Sequence, residues 1–162
     1  MHSRILGIVT TEFHDTNYQK RQYALDYTGI DLPFADYTDA DTDVDQDVQW
    51  FAEFLRDRAD GFFDVNEKEG TFIFHEGFKE AFFKQPWKEL VEALLKEDSF
   101  KAFCGLKGSF NAFPFDIKQI VEDTMGFHVA DHTGSCETLD SFVRNLEYEK
   151  EYIVFDTVDY HI

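Results

Sequence analysis

Only two cysteines, Cys104 and Cys136, occur among the 162 residues. They are too few for a disulfide framework and, alone, too few for a structural zinc site. No apolar run approaches the ~20 residues of a membrane-spanning helix. The opening Met1-His2-Ser3-Arg4-Ile5 leads into a short apolar stretch without a small-residue cleavage pattern, so no secretory signal is predicted. Together these absences predict a reduced, cytoplasmic protein. Catalytic and phosphate-binding signatures are missing too: there is no Walker loop, no G-x-G-x-x-G and no G-x-S-x-G. Gly105-Leu106-Lys107-Gly108-Ser109 resembles a phosphate loop in composition alone. No cofactor is predicted, and the chain reads as non-enzymatic. There is no internal repeat.

The scarcest commodity is positive charge. Fifteen Lys and Arg stand against 33 Asp and Glu, a net charge of −18. Nucleic acid and anionic membrane are therefore disfavoured as direct partners, because both are polyanions. A basic protein surface or divalent cations are favoured instead. The charge is also uneven. Residues 36–69 hold 12 acids and 3 bases, residues 116–162 hold 11 and 3, and residues 70–115 between them hold 6 and 6. The bland alternative is a soluble domain whose acidity has no specific target. An apolar fraction of 43% with 19 Phe argues against disorder and for a packed core. The length suits a single domain, with a split into two lobes near 66–76 as the alternative.

The first acidic block contains an unusual run. Asp36 heads it, and Asp39, Asp41, Asp43, Asp45 and Asp47 follow at every second residue. In an extended chain such residues share one face at roughly 6.6–6.8 Å spacing, a single file of carboxylates. Coiled, they would converge on a hard cation. An EF-hand is excluded. Started at Asp39, positions 6 and 12 are Val44 and Trp50, and started at Asp41 they are Gln46 and Ala52, where Gly and Glu are needed.

Around this run the chain alternates strands and helices. Residues 4–13 predict a buried strand and 21–28 a half-buried one, paired antiparallel with the first. Val44, Val48, Phe51 and Leu55 recur at helical spacing, with Asp43 or Asp45 as N-cap and Asp47 in the first turn. Residues 62–65 and 71–75 predict a hairpin turning at Gly70. A helix over 79–96, broken at Pro86, would bury Leu90, Val91, Leu94 and Leu95. Asp116 would cap a helix ended by Gly126, 127–131 a strand, Glu137–Leu146 a helix and Tyr152–Val158 a closing strand. The fold class is α+β, a mixed or mainly antiparallel sheet packed by about four helices.

Three functional readings follow. The first is a non-enzymatic inhibitor, of the anti-defence or nuclease-immunity type, that offers nucleic-acid-like charge to the binding surface of a basic partner. Asp36, Asp39, Asp41, Asp43, Asp45 and Asp47 would carry the contact, extended by Glu53, Asp57 and Asp60 along the helix. Glu147, Glu149 and Glu151 would join if the C-terminal block folds alongside. The second is a divalent-metal-binding protein or hydrolase using the carboxylates from Asp39 to Asp47. The third is an adaptor docking through the Phe-rich segment 100–115. Smaller signals favour structure over chemistry. His128 and His132 flank Asp131 without the inner Glu of a zinc protease motif, and His75-Glu76 stands apart. Cys136, at an expected helix start, would be a nucleophile only with His132 or His128 as base.

Overall fold

In the computed structural model the described residues are 2–10, 25, 37–39, 42–96, 99–104, 117, 120, 121 and 126–161. Among the described residues seven strands form one mixed sheet: β1 (His2–Thr10), β2 (Tyr37–Asp39), β3 (Phe63–Asn66), β4 (Thr71–Phe74), β5 (His128–Ala130), β6 (Cys136–Thr138) and β7 (Glu151–His161). The path runs β3-β4-β7-β1-β5-β6, and β2 also pairs with β7. All pairings are antiparallel except β1 with β5. Four helices are described: α1 (Val44–Ala59), α2 (Phe78–Leu95), α3 (Ser99–Phe103) and α4 (Leu139–Asn145). This is the α+β class that the sequence predicts.

The long strand β7 organises the sheet. One edge pairs with β1 along its length, and the other is shared by β4 near residues 151–153 and β2 near residues 159–161. Between those two neighbours the backbone of β7 finds other partners, with Val154 N–H donating to Gly70 O at 2.9 Å and Thr42 Oγ1 to Thr157 O at 2.8 Å. The register slips between Gly7 and Ile8, which oppose Asp156 and Val154, so Phe155 is an extra residue in a β-bulge. Its ring lies over Gly7, where an added Cβ would meet Phe155 Cζ at 2.8 Å and Leu25 Cδ1 at 2.6 Å. The bulge needs a glycine there.

The sheet buries both faces. One carries Leu6, Ile8, Phe72, Phe74, Tyr152 and Val154 against Val48, Phe51 and Leu55 of α1, Phe78 and Phe82 of α2, and Leu139 and Val143 of α4. The other carries Ile5, Val9, Ile153, Phe155, Val158 and Tyr160, packed with Leu25.

Several expectations meet a different arrangement. The described partners of β1 are β7 and β5, and the segment 21–28 lies outside the described residues except for Leu25. Helix α2 is continuous through Pro86. A hydrogen bond from Gln85 Nε2 to Glu89 Oε1 at 2.7 Å spans the proline, and the Phe78 and Phe82 side chains are anchored in the core before it. Its buried residues are Phe78, Phe82 and Ala93, whereas Leu94 and Leu95 are 51% and 78% exposed. The stripe that meets the core follows the phenylalanines, not the leucines. Cys136 begins a strand, and the following helix starts only at Leu139, capped by Thr138 Oγ1 accepting from Ser141 N–H at 3.2 Å. Of the segment 116–126, residues 117, 120 and 121 are helical, and 105–116 lies outside the described residues.

Candidate functional site

Helix α1 has the most strongly patterned outer surface. Asp43 caps it, Oδ1 accepting from Asp45 N–H at 3.1 Å and Gln46 N–H at 3.2 Å. Burial of Val48, Phe51, Ala52, Leu55 and Ala59 fixes which side faces the sheet. At ~3.6 residues per turn the opposite side holds Asp45, Glu53, Asp57 and Asp60 within an arc of roughly 120°, and all four are exposed. From Asp45 to Asp60 the row is about 22 Å long at ~1.5 Å per residue. Arg56 is the base in this arc, and its guanidinium is bonded to Glu67 of the hairpin at 2.6 Å. Arg58 is half-buried and lies over the Phe54 and Phe82 rings at 5.0 and 5.6 Å.

Local helix chemistry accounts for only part of this pattern. Asp43 and Asp45 complement the positive end of the helix dipole. Asp57 and Asp60 stand at the negative end, where a carboxylate is disfavoured. Their presence there makes no contribution to helix stability.

The aspartate run is not a continuous ladder. The backbone of Asp39 belongs to β2, opposite Asp159, while Asp43 is a cap. Asp36 and Asp41 lie outside the described residues. Asp47 turns inward and is 1% exposed. Its Oδ1 accepts from Arg4 Nε at 2.8 Å and its Oδ2 from Thr157 Oγ1 at 2.7 Å. Arg4 also bridges to Asp159 and lies 5.6 Å from the centroid of Trp50. Asp47 is thus a fastening between α1 and the sheet rather than a surface carboxylate. The helical twist, which turns every second residue by about 200°, breaks the alternation.

Glu149 and Glu151 do not extend the helix face. Glu151 opposes Ile73, and its neighbour Tyr152 opposes Phe72 in the core beneath the helices. Strand alternation therefore directs Glu151 to the other side of the sheet. Glu149 joins it there, as its carboxylate meets His75 Nδ1 at 3.0 Å while His75 Nε2 meets Asp64 Oδ2 at 3.1 Å. Glu147 pairs with Lys150 at 3.0 Å.

His75 was legible only as a histidine beside Glu76, yet its geometry carries chemistry. Each ring nitrogen faces a carboxylate oxygen, and only the imidazolium can donate from both. The hydrogen bond to Glu149, then that to Asp64, raises its pKa above 6.5. Glu149 has a positive φ of 59°, a strained backbone for a non-glycine residue that this contact helps hold. Since the folded-state value is raised, the stabilisation is complete below the unfolded value of ~6.5 and is lost as pH rises through the folded value. Thermal midpoints of wild type and His75→Gln, measured from pH 5.5 to 9, are expected to differ most at low pH and converge at high pH. A pH-independent difference would dismiss the clamp.

The other candidates have structural explanations. Burial, and then Glu137, push the Cys136 thiol up to about 11, the opposite of an activated thiolate. Buried His128 sits edge-on to Tyr160, Nδ1 to hydroxyl 2.8 Å. Asp131 closes the β5–β6 turn. Burial raises its pKa, but hydrogen bonds from Thr133 and Ser135 outweigh that and hold it below 3.8. Phe100 and Phe103, on α3, are 74% and 72% exposed. Among the described residues no group of three His, Cys, Asp or Glu converges in a manner suited to a metal ion, and no helix is long and apolar enough to cross a membrane. Comparison with known proteins finds no matching family model, no matching curated protein and no matching solved structure.

Proposed function

We propose that this chain is a non-enzymatic acidic inhibitor that occupies the nucleic-acid-binding surface of a basic partner protein. The observation that carries the reading is the outer face of α1, where Asp45, Glu53, Asp57 and Asp60 are all exposed. The only base in their arc is already bonded to Glu67. A surface built to hold DNA or RNA presents Lys and Arg to a row of phosphates, and a row of carboxylates on a rigid helix offers those cations the same sign of charge. The net charge of −18 adds long-range attraction, which raises association rates and makes them fall with salt.

The test is displacement of a fluorescent DNA duplex from a panel of basic nucleic-acid-binding domains. The protein is expected to displace duplex from at least one domain at low salt, with weaker competition at high salt. The triple variant Glu53→Gln/Asp57→Asn/Asp60→Asn leaves the Asp43 cap and the Arg4 cluster intact, and should compete at least about tenfold less well, or ~1.4 kcal/mol. Failure against the whole panel, or equal competition by the variant, would refute the proposal.

A second reading, an adaptor docking through aromatic side chains, draws support from the exposure of Phe100 and Phe103. Aromatic residues are enriched in interface cores. The two readings separate by salt, since a contact made through Phe100 and Phe103 persists where a carboxylate contact weakens.

A further inference from the structure

Strands β1 and β5 run parallel, and past their carboxyl ends opens a cavity of about 280 Å³, the volume of roughly nine waters. That is close to the lower limit of small-molecule pockets. Ile8, Val129, Phe142 and Tyr152 give it an apolar wall, and Asp131 and Glu137 stand among its polar lining residues. The two carboxylates come from different elements, the β5–β6 turn and β6 itself.

Both acids are held in place. Asp131 Oδ1 accepts from Thr133 N–H at 2.8 Å, Thr133 Oγ1 at 2.6 Å and Ser135 N–H at 3.1 Å. All three bonds fall on one oxygen. The turn therefore fixes the side chain while Oδ2 accepts no hydrogen bond from the described residues. Those bonds also keep Asp131 ionised. Glu137 Oε2 accepts from Ser141 Oγ of α4, which fixes the second acid while Oε1 takes no part in that bond.

We propose that this cleft binds an organic cation, an ammonium or guanidinium group carried on a small apolar or aromatic body. The charge preference follows from two fixed carboxylates at the site of a strongly anionic protein. The preference for an organic ion follows from the wall. A bare metal ion gains nothing from Val129 or Ile8, whereas the Phe142 and Tyr152 side chains give the apolar or aromatic body of an organic cation a surface to pack on. The site is separate from the acidic face of α1 and stands whether or not that face binds a partner.

Such a cation could be a free amine or a basic side chain of another protein. Benzylammonium and a capped arginine amide are the two probes, with benzyl alcohol as the uncharged control, titrated into the intact chain by NMR at moderate salt. At least one cation should shift the amide signals of Val129, Ser135 and Phe142, binding about tenfold more tightly than the alcohol. Preference for one cation identifies the source. Asp131→Asn keeps the turn, because its amide oxygen accepts the same three bonds, and should weaken the cation about tenfold. Glu137→Gln should weaken it as well. The triple α1 variant should leave binding unchanged, which separates the cleft from diffuse attraction. Equal binding by benzyl alcohol, no response to either cation, or undiminished binding by Asp131→Asn would overturn the proposal.

Discussion

Replacing Arg4 by Met is expected to cost the fold about 3–5 kcal/mol, the usual loss when one partner of a buried ion pair is removed. Arg4 on β1 bonds Asp47 of α1 through Nε at 2.8 Å and also bridges Asp159 of β7. The side chains of Arg4, Asp47 and Asp159 are only 19%, 2% and 17% exposed, so solvent cannot take over when the cation is lost. Two largely buried carboxylates would be left without the cation they share. Methionine fills much of the same volume, so lost packing would be a small part of the effect. Arg4→Lys should fall between, because an ammonium lacks the planar fork that reaches two carboxylates at once. Replacing all three residues by apolar ones of similar size should recover much of the loss, as well-packed hydrophobes commonly match a buried ionic cluster. Urea unfolding of the three variants checks this. A loss below ~0.5 kcal/mol for Arg4→Met would show that the cluster is surface decoration.

What the sequence made legible was local. The α1 cap and stripe could be read because Asp43, Val48, Phe51 and Leu55 interact with near neighbours along the chain. The β3–β4 hairpin was visible for the same reason, with Gly70 at a positive φ of 68° in its turn. Asp47 was misread because its inward turn depends on Arg4, 43 residues away, and on Thr157, 110 residues away. The alternation treats it like Asp45, whereas helical spacing, three residues after Val44 and four before Phe51, sets it beside the buried stripe. The parallel pairing of β1 with β5 is likewise invisible locally, and it is what creates the cleft beside Asp131. Whether an acid of the C-terminal block meets α1 depends on the alternation of β7, which sends Glu151 away from the helix layer. His75 offered no periodic signal at all, since its two carboxylate partners come from β3 and from the loop before β7.

These long-range contacts also explain how a strongly anionic helix face can be held rigid. Self-repulsion along α1 favours lifting it from the sheet, and the Arg4 cluster opposes that at its first turns. Arg56 to Glu67 does so near the other end, at 2.6 Å, though its exposed partners make that link weak. The remaining grip is apolar. A charged face presented on a fixed scaffold loses little conformational freedom on docking, which preserves its binding energy.

The apolar core beneath the helices should be highly vulnerable at Phe74. Its ring is 2% exposed and lies 4.6 Å from Phe78 of α2, 5.6 Å from Tyr152 of β7, 6.3 Å from Phe63 of β3 and 6.5 Å from Phe142 of α4, between ring centroids. Four elements therefore meet on one side chain. Phe74→Ala should cost about 3–5 kcal/mol, since the lost transfer energy is compounded by a cavity that several rigid rings cannot collapse to fill. Against a typical stability of ~5–15 kcal/mol, that is enough to populate unfolded chain. Phe74→Leu should cost less, because it preserves most of the volume. Phe100→Ala, at a ring 74% exposed, should change stability by no more than ~0.5 kcal/mol. Chemical unfolding of the three variants is the measurement. If Phe100→Ala proved as damaging as Phe74→Ala, α3 would have to be part of the core rather than an exposed aromatic surface.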